Sequence, residues 1–178
     1  MTTRLTRLPV LTAVCGSAAL LFGFASYAAG ARINTSPSIP VGLYWTSAAA
    51  IHKGGYVMFC PPKQPVFDMA KARGYIGAGF CKGGYGYMMK RVLAAKDDTV
   101  TFTSEGVRVN GDLVPFSAPL QTDAAHRPMP HYEAKEGPLK ATELLLMSDV
   151  CAASFDGRYF GLIDRRQIKW AVRPILTW

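Results

Sequence analysis

Residues 34–45 read NTSPSIPVGLYW, and two residues separate this stretch from the end of a long apolar run. Pro37 and Pro40 each fix their own φ near −65°, and a proline pushes the residue before it, Ile39 for Pro40, out of helical space. The stretch is therefore expected to be stiff, non-helical and extended. Ser36 and Ser38 stand two apart, so on an extended backbone both hydroxyls face one side. The expectation is a rigid strap that presents paired hydroxyls close to a membrane, and whatever follows it must be built around that strap.

The apolar run, residues 8–31, carries no charge. It is long enough to cross a bilayer core as a helix. Arg4 and Arg7 precede it, and the positive-inside rule keeps that end cytoplasmic and exports the rest. The sequence thus divides into a cytoplasmic N-terminus at 1–7, a transmembrane anchor or signal segment at 8–31, and a periplasmic domain at 32–178. Ala29-Gly30-Ala31 fits a small-residue cleavage rule, which would leave a soluble periplasmic protein. The run is longer than a usual signal core, and cleavage would leave Ser38 almost at the new terminus, so a retained inner-membrane anchor is the expectation.

Of 178 residues, 20 are Lys or Arg and 12 Asp or Glu, a formal net charge of +8. For an exported domain tied to a bilayer, that balance points to anionic lipid headgroups as a partner. The basic residues are scattered rather than clustered, which argues against nucleic acid. Four cysteines are present, Cys15 in the apolar run and Cys60, Cys81 and Cys151 beyond it. An oxidising compartment favours a disulfide, and Cys60 and Cys81 bracket one local excursion. Neither a Cys-x-x-Cys nor a paired-His spacing occurs, so no metal or other cofactor is expected.

Beyond the strap the pattern is mainly β. Gly55–Cys60, Tyr87–Ala95, Thr99–Thr103, Gly106–Val109, Leu144–Met147 and Ile168–Ile175 read as strands, and Asn110-Gly111 as a two-residue hairpin turn. Pro65–Arg73 reads as a short helix, with proline at its start and Gly74 just past its end. Lys90 lies inside a strongly apolar strand; a lysine there usually snorkels or faces outward, but apolar residues flank Lys90 on both sides and leave its direction open. Residues 115–140 hold five prolines and two of the three histidines, His126 and His131, and read as a long surface excursion. A proline-rich loop is a poor support for a catalytic base, which counts against a serine–histidine pairing with Ser38; His52 has no better claim.

Three blocks, in order, resemble the signal peptidase I family. Ser36-Pro37-Ser38-Ile39-Pro40 resembles its Ser-x-Ser-Met box, with Ser38 in the nucleophile's place. Met89-Lys90-Arg91-Val92 resembles the lysine box, continued by Asp98-x-Val100. Met147 to Ile163 matches the last box in register, with Ser154, Asp156, Arg158, Tyr159 and Gly161 on family positions. The glycine-proline-glycine after the lysine box is replaced by Ala94-Ala95-Lys96-Asp97, and Pro40 stands two residues after Ser38 rather than three. These departures, the SPSIPVGLYW wording and the Cys60 and Cys81 pair look like the TraF-type conjugative transfer peptidases of that family. The resemblance implies a signal-peptidase-like antiparallel β-sheet domain with one N-terminal transmembrane helix.

What the resemblance implies for chemistry fits the residue types. A serine hydroxyl needs a base, and lysine serves only when neutral, which burial promotes by lowering a pKa that is ordinarily about 10.4. Ser38 and Lys90 would be the catalytic dyad, and the Ser36 hydroxyl and Ser38 N–H the oxyanion hole. Ser154 would orient Lys90, and Asp156 would pair with Arg158 to hold that loop. The implied substrate is an exported protein precursor, foremost a conjugative pilin that is trimmed and joined end to end, with other conjugative transfer proteins as further partners. A general signal peptidase, and a non-enzymatic periplasmic subunit of a conjugation or secretion channel, are the alternatives.

Overall fold

A computed structural model describes residues 7–132 and 137–178. Arg4, and residues 133–136 of the proline-rich stretch, lie outside the described residues. In chain order the elements are α1 (Arg7–Ala29), β1 (Ala31–Asn34), β2 (Gly42–Ser47), β3 (Tyr56–Phe59), α2 (Pro65–Ala72), β4 (Ala78–Cys81), β5 (Met88–Ala94) and β6 (Val100–Phe102). There follow β7 (Val107–Val109), β8 (Asp112–Leu113), β9 (Glu143–Met147), α3 (Gly157–Phe160), β10 (Ile163–Asp164) and β11 (Ile168–Thr177). The chain forms two compact units, Met1–Arg32 and Ile33–Trp178.

The first unit is built on α1. Its stretch Pro9–Ala29 has 21 residues of mean hydropathy 1.7 and none of it is buried, so the helix is long and apolar enough to cross a membrane.

The second unit is a mainly antiparallel β domain. Seven strands run in the order β1-β2-β11-β3-β5-β9-β10, and a smaller sheet runs β6-β7-β8. β11 joins the two halves of the large sheet because it pairs with β2 along one edge and β3 along the other. Its register slips between Pro174 and Leu176, where proline withholds a ladder donor. Gly42 faces that slip at φ +152°, and a Cβ there would meet the Leu176 carbonyl oxygen at 2.1 Å. Only glycine lets the strap enter the sheet at this point.

β5 lies inside the sheet between β3 and β9, and its side chains alternate between buried and half-buried. Met88, Lys90 and Val92 share the buried face, so the lysine neither faces outward nor snorkels. Behind β5, Phe67 of α2 packs against Phe160 at 5.0 Å and edge-on to Phe155 at 6.4 Å. Cys60 and Cys81 are joined by a disulfide that closes the glycine-rich excursion onto the end of β3.

Two expectations are corrected. Pro37 and Ser38 form a turn rather than an extended strap; a φ near −65° suits the second position of a β-turn as well as a strand. The Asn34 carboxamide fixes that turn, donating to the carbonyls of Ser36, Ile39 and Pro40 at 2.8, 3.1 and 3.1 Å and accepting from Ser36 N–H at 3.2 Å. The stretch 115–140 is not only surface, because Ser117, Met129 and Leu139 are buried. Its backbone carbonyls at Phe116, Ala118 and Pro128 find partners in the guanidinium groups of Arg158 and Arg73, which is what lets an irregular segment pack inward.

Candidate active site

The turn at Pro37-Ser38, the middle of β5 and the loop after β9 bring four polar side chains into one line. Lys90 Nζ donates to Ser154 Oγ at 2.7 Å, Ser154 Oγ donates to Ser38 Oγ at 3.1 Å, and Ser36 Oγ donates to Ser38 Oγ at 3.1 Å. The Ser38 N–H points at Ser36 Oγ, 3.3 Å away. Ser36 and Ser38 thus come together through the turn itself, by a different backbone from the one anticipated.

Lys90 is 3% exposed. Burial pushes its ammonium down to about 8; the negative charge of Asp156 opposes that shift and the positive charge of Arg158 adds to it. A neutral amine is therefore within reach near neutral pH, in a site where its hydrogen-bond partner is a serine hydroxyl rather than a carboxylate.

The loop carrying Ser154 is held from beneath. Asp156 and Arg158 form an ion pair with side chains 0% and 1% exposed. Asp156 takes Nε and Nη2 of Arg158 at 2.8 and 3.0 Å, the Arg158 N–H at 3.2 Å and the Ser148 N–H at 3.0 Å. Arg158 Nη1 reaches the carbonyls of Phe116, Ala118 and Ala152 at 2.8, 3.3 and 2.9 Å, and Nη2 reaches that of Cys151 at 3.5 Å. A guanidinium has five donors in a rigid fork, and here the fork ties the Ser154 loop to the proline-rich stretch. Gly157 lets this loop lie on β9, since a Cβ there would meet Leu145 Cδ1 at 2.9 Å and the Leu146 carbonyl oxygen at 3.1 Å.

His52, His126 and His131 are all exposed, and none is a hydrogen-bond partner of Ser38. Among the described residues no cluster of three His, Cys, Asp or Glu side chains has the arrangement to hold a metal. The sequence reading missed Asn34, which shapes the turn, and Tyr75 and Phe155, which line the space on both sides of Ser38. The signal for Asn34 was there: an Asn two residues before Ser-Pro is a turn-former through its own side chain. Tyr75 and Phe155 carry no such mark.

A small antiparallel β domain preceded in the chain by one apolar helix, with a buried lysine and paired serines, defines the class, and residues 4–176 match the family described as signal peptidase, peptidase S26. The chain belongs to that family. Two Escherichia coli proteins named plasmid transfer protein TraF are 62% and 58% identical to it; each alignment covers 98% of this chain, and 98% and 99% of those proteins. A conjugal transfer protein TraF of Agrobacterium tumefaciens is 31% identical over 86% of both chains. A signal peptidase I crystal structure from Enterococcus faecalis aligns with 70% of this chain and 98% of its own at 14% identity and a TM-score of 0.40.

Proposed function

We propose that this protein is a membrane-anchored serine peptidase of plasmid conjugation, in which Ser38 is the nucleophile and Lys90 the general base. The observation that carries the reading is the unbroken hydrogen-bonded series from Lys90 through Ser154 to Ser38, ending at a lysine whose burial favours the neutral amine. Neutral Lys90 receives the Ser38 proton, with the Ser154 hydroxyl between them able to accept on one side and donate on the other. The Ser38 oxygen attacks a peptide carbonyl, and the developing oxyanion takes the Ser38 N–H and the Ser36 hydroxyl, the first of which donates to Ser36 Oγ and the second to Ser38 Oγ before substrate arrives. Losing one such donor costs on the order of a hundredfold or more in rate.

The names of the relatives support plasmid transfer as the setting, and the substrate proposed is an exported pilin precursor. The catalytic unit acts on the periplasmic side of the inner membrane, with α1 as its anchor and the other transfer proteins as its surroundings. The ester on Ser38 is resolved by the amino end of the same pilin chain as well as by water, since an amine held nearby gains a large effective molarity over solvent. Intact-mass measurement of the pilin tests this in cells. With the wild-type protein the product is one water lighter than the trimmed linear chain. With Ser38→Ala or Lys90→Ala only the uncut precursor accumulates, while the variant protein persists in the membrane fraction. Trimming that survives Ser38→Ala would remove Ser38 as the nucleophile.

A further inference from the structure

Ser38 stands between two cavities, each of about 300 Å3. Ser36, Ser38, Tyr75 and Phe155 line both, and the rings of Tyr75 and Phe155, 5.4 Å apart, form the partition. The first cavity contains Lys90 together with Asn34, Thr35 and Met89. The second contains Ser154, and its outer wall, Leu120, Ala124 and Met129, comes from the proline-rich stretch.

That wall is fastened rather than loose. Asp123 accepts from the Tyr75 hydroxyl, from Arg127 Nε at 2.7 Å and from the N–H groups of Ala125 and Arg127, both at 2.9 Å. Arg73 Nη1 holds the Pro128 carbonyl at 2.8 Å, and the Tyr159 hydroxyl takes the Leu120 N–H at 3.0 Å. Four donors saturate the one carboxylate in the wall and the Arg127 guanidinium offsets its charge, so it offers an occupant no free acceptor. What remains facing the space is aliphatic and thioether surface.

A peptide bond placed over Ser38 needs room on both sides, and the proton path says which side is which. The leaving nitrogen must be protonated as the C–N bond breaks. Ser154 Oγ, held by Lys90 Nζ at 2.7 Å, lines the second cavity, whereas Lys90 itself lines the first. We propose that the second cavity is the leaving-side subsite and that it takes an apolar side chain from the residue that follows the cleaved bond. This rests on the peptidase reading above. In the step, the carbonyl carbon gains a bond to Ser38 Oγ and the Ser38 proton passes to Lys90. The C–N bond then breaks, the same proton reaches the nitrogen through Ser154, and Lys90 is neutral again. A neutral apolar pocket discriminates by tens of fold between side chains that fill it and those that do not.

The test uses the full-length protein in lipid nanodiscs. Its probes are synthetic peptides spanning the bond cut in the pilin precursor, identical except for Leu, Ala, Asp or Lys after that bond. A methyl ester of the acyl half alone serves as a reference that places nothing in the second cavity. The wild type should cleave the Leu peptide roughly tenfold or more faster in kcat/KM than the Asp or Lys peptide. Met129→Trp, which fills the cavity, should bring the Leu-to-Ala ratio toward one and lower the Leu-peptide rate relative to that variant's own ester hydrolysis. Ala124→Trp, on the exposed rim, is the second variant should Met129→Trp fail to fold. Equal rates for all four peptides, or ratios that neither folded variant moves, overturn the subsite while the ester reaction stands. A folded wild type that leaves the ester intact overturns the peptidase reading, and this subsite with it.

Discussion

Asp156-Gly157-Arg158 and Asp164-Arg165-Arg166 are the same device used in two places. In each, an aspartate caps a short helical turn by accepting the N–H of the residue two further on, and the arginine at that position returns to the carboxylate at 2.8 Å. The first pair has side chains 0% and 1% exposed; the second, 32% and 85%. The local chemistry is alike and the consequence is not. Hydrogen bonds from Arg166 push the Asp164 carboxyl down to about 2, yet solvent screens an exposed pair and its contribution is small. At Asp156 and Arg158 each hydrogen bond replaces water that cannot reach the site, and breaking the pair strands a buried charge.

The largest expected effect is therefore Asp156→Ala, which should lower unfolding stability by about 3–5 kcal/mol. Urea titration checks it, with the midpoint falling and the slope unchanged. Replacing both partners, Asp156→Leu with Arg158→Met, should recover much of that loss, because no unpaired charge is left. A double variant as unstable as the single one would mean that the arginine's four carbonyl partners matter more than the ion pair.

Lys90 makes the next case, since it is buried without a carboxylate in hydrogen-bonding contact. Its folded pKa of about 8 lies below the unfolded value of about 10.4. Between those values the unfolded chain binds more protons, so stability rises with pH across that window and is lost as pH falls back through about 8. Lys90→Met should be about 3 kcal/mol more stable than the wild type at pH 7, with the gain fading toward pH 10. Unfolding midpoints at pH 7 and pH 10 read this directly. The smallest effect is Asp164→Ala, which should leave the unfolding midpoint at pH 7 within experimental scatter. A large loss there would erase the distinction between the two pairs.

The β domain was legible because apolar runs and turns announce themselves: Tyr87 to Ala95 is apolar but for Lys90 and Arg91, and Asn110-Gly111 takes positive φ at both positions. The side chains that meet around Ser38 were named from three separated blocks, and the structure brings Ser36, Ser38, Lys90 and Ser154 into one line. What stayed hidden depends on where chains meet rather than on local pattern. Burial of Lys90 follows from which face of β5 looks inward, and an apolar run assigns no direction. The turn at Pro37 was hidden because proline's φ serves turn and strand equally, and the choice was made by Asn34. The proline-rich stretch gave no periodic signal, so nothing in its composition revealed that it walls a cavity beside Ser38.

The central claim is that Lys90 is the base for Ser38, and the pH dependence of Ser38 acylation tests it most directly. Single-turnover acylation by the methyl ester should rise with pH along one limb whose midpoint is about 8, as Lys90 loses its proton. Asp156→Asn should move that limb to lower pH, because the Asp156 charge raises the Lys90 value. Replacing His52, His126 and His131 together should leave the limb in place. An acylation rate that follows the histidines, or that persists at the wild-type level in Lys90→Ala, would contradict the assignment.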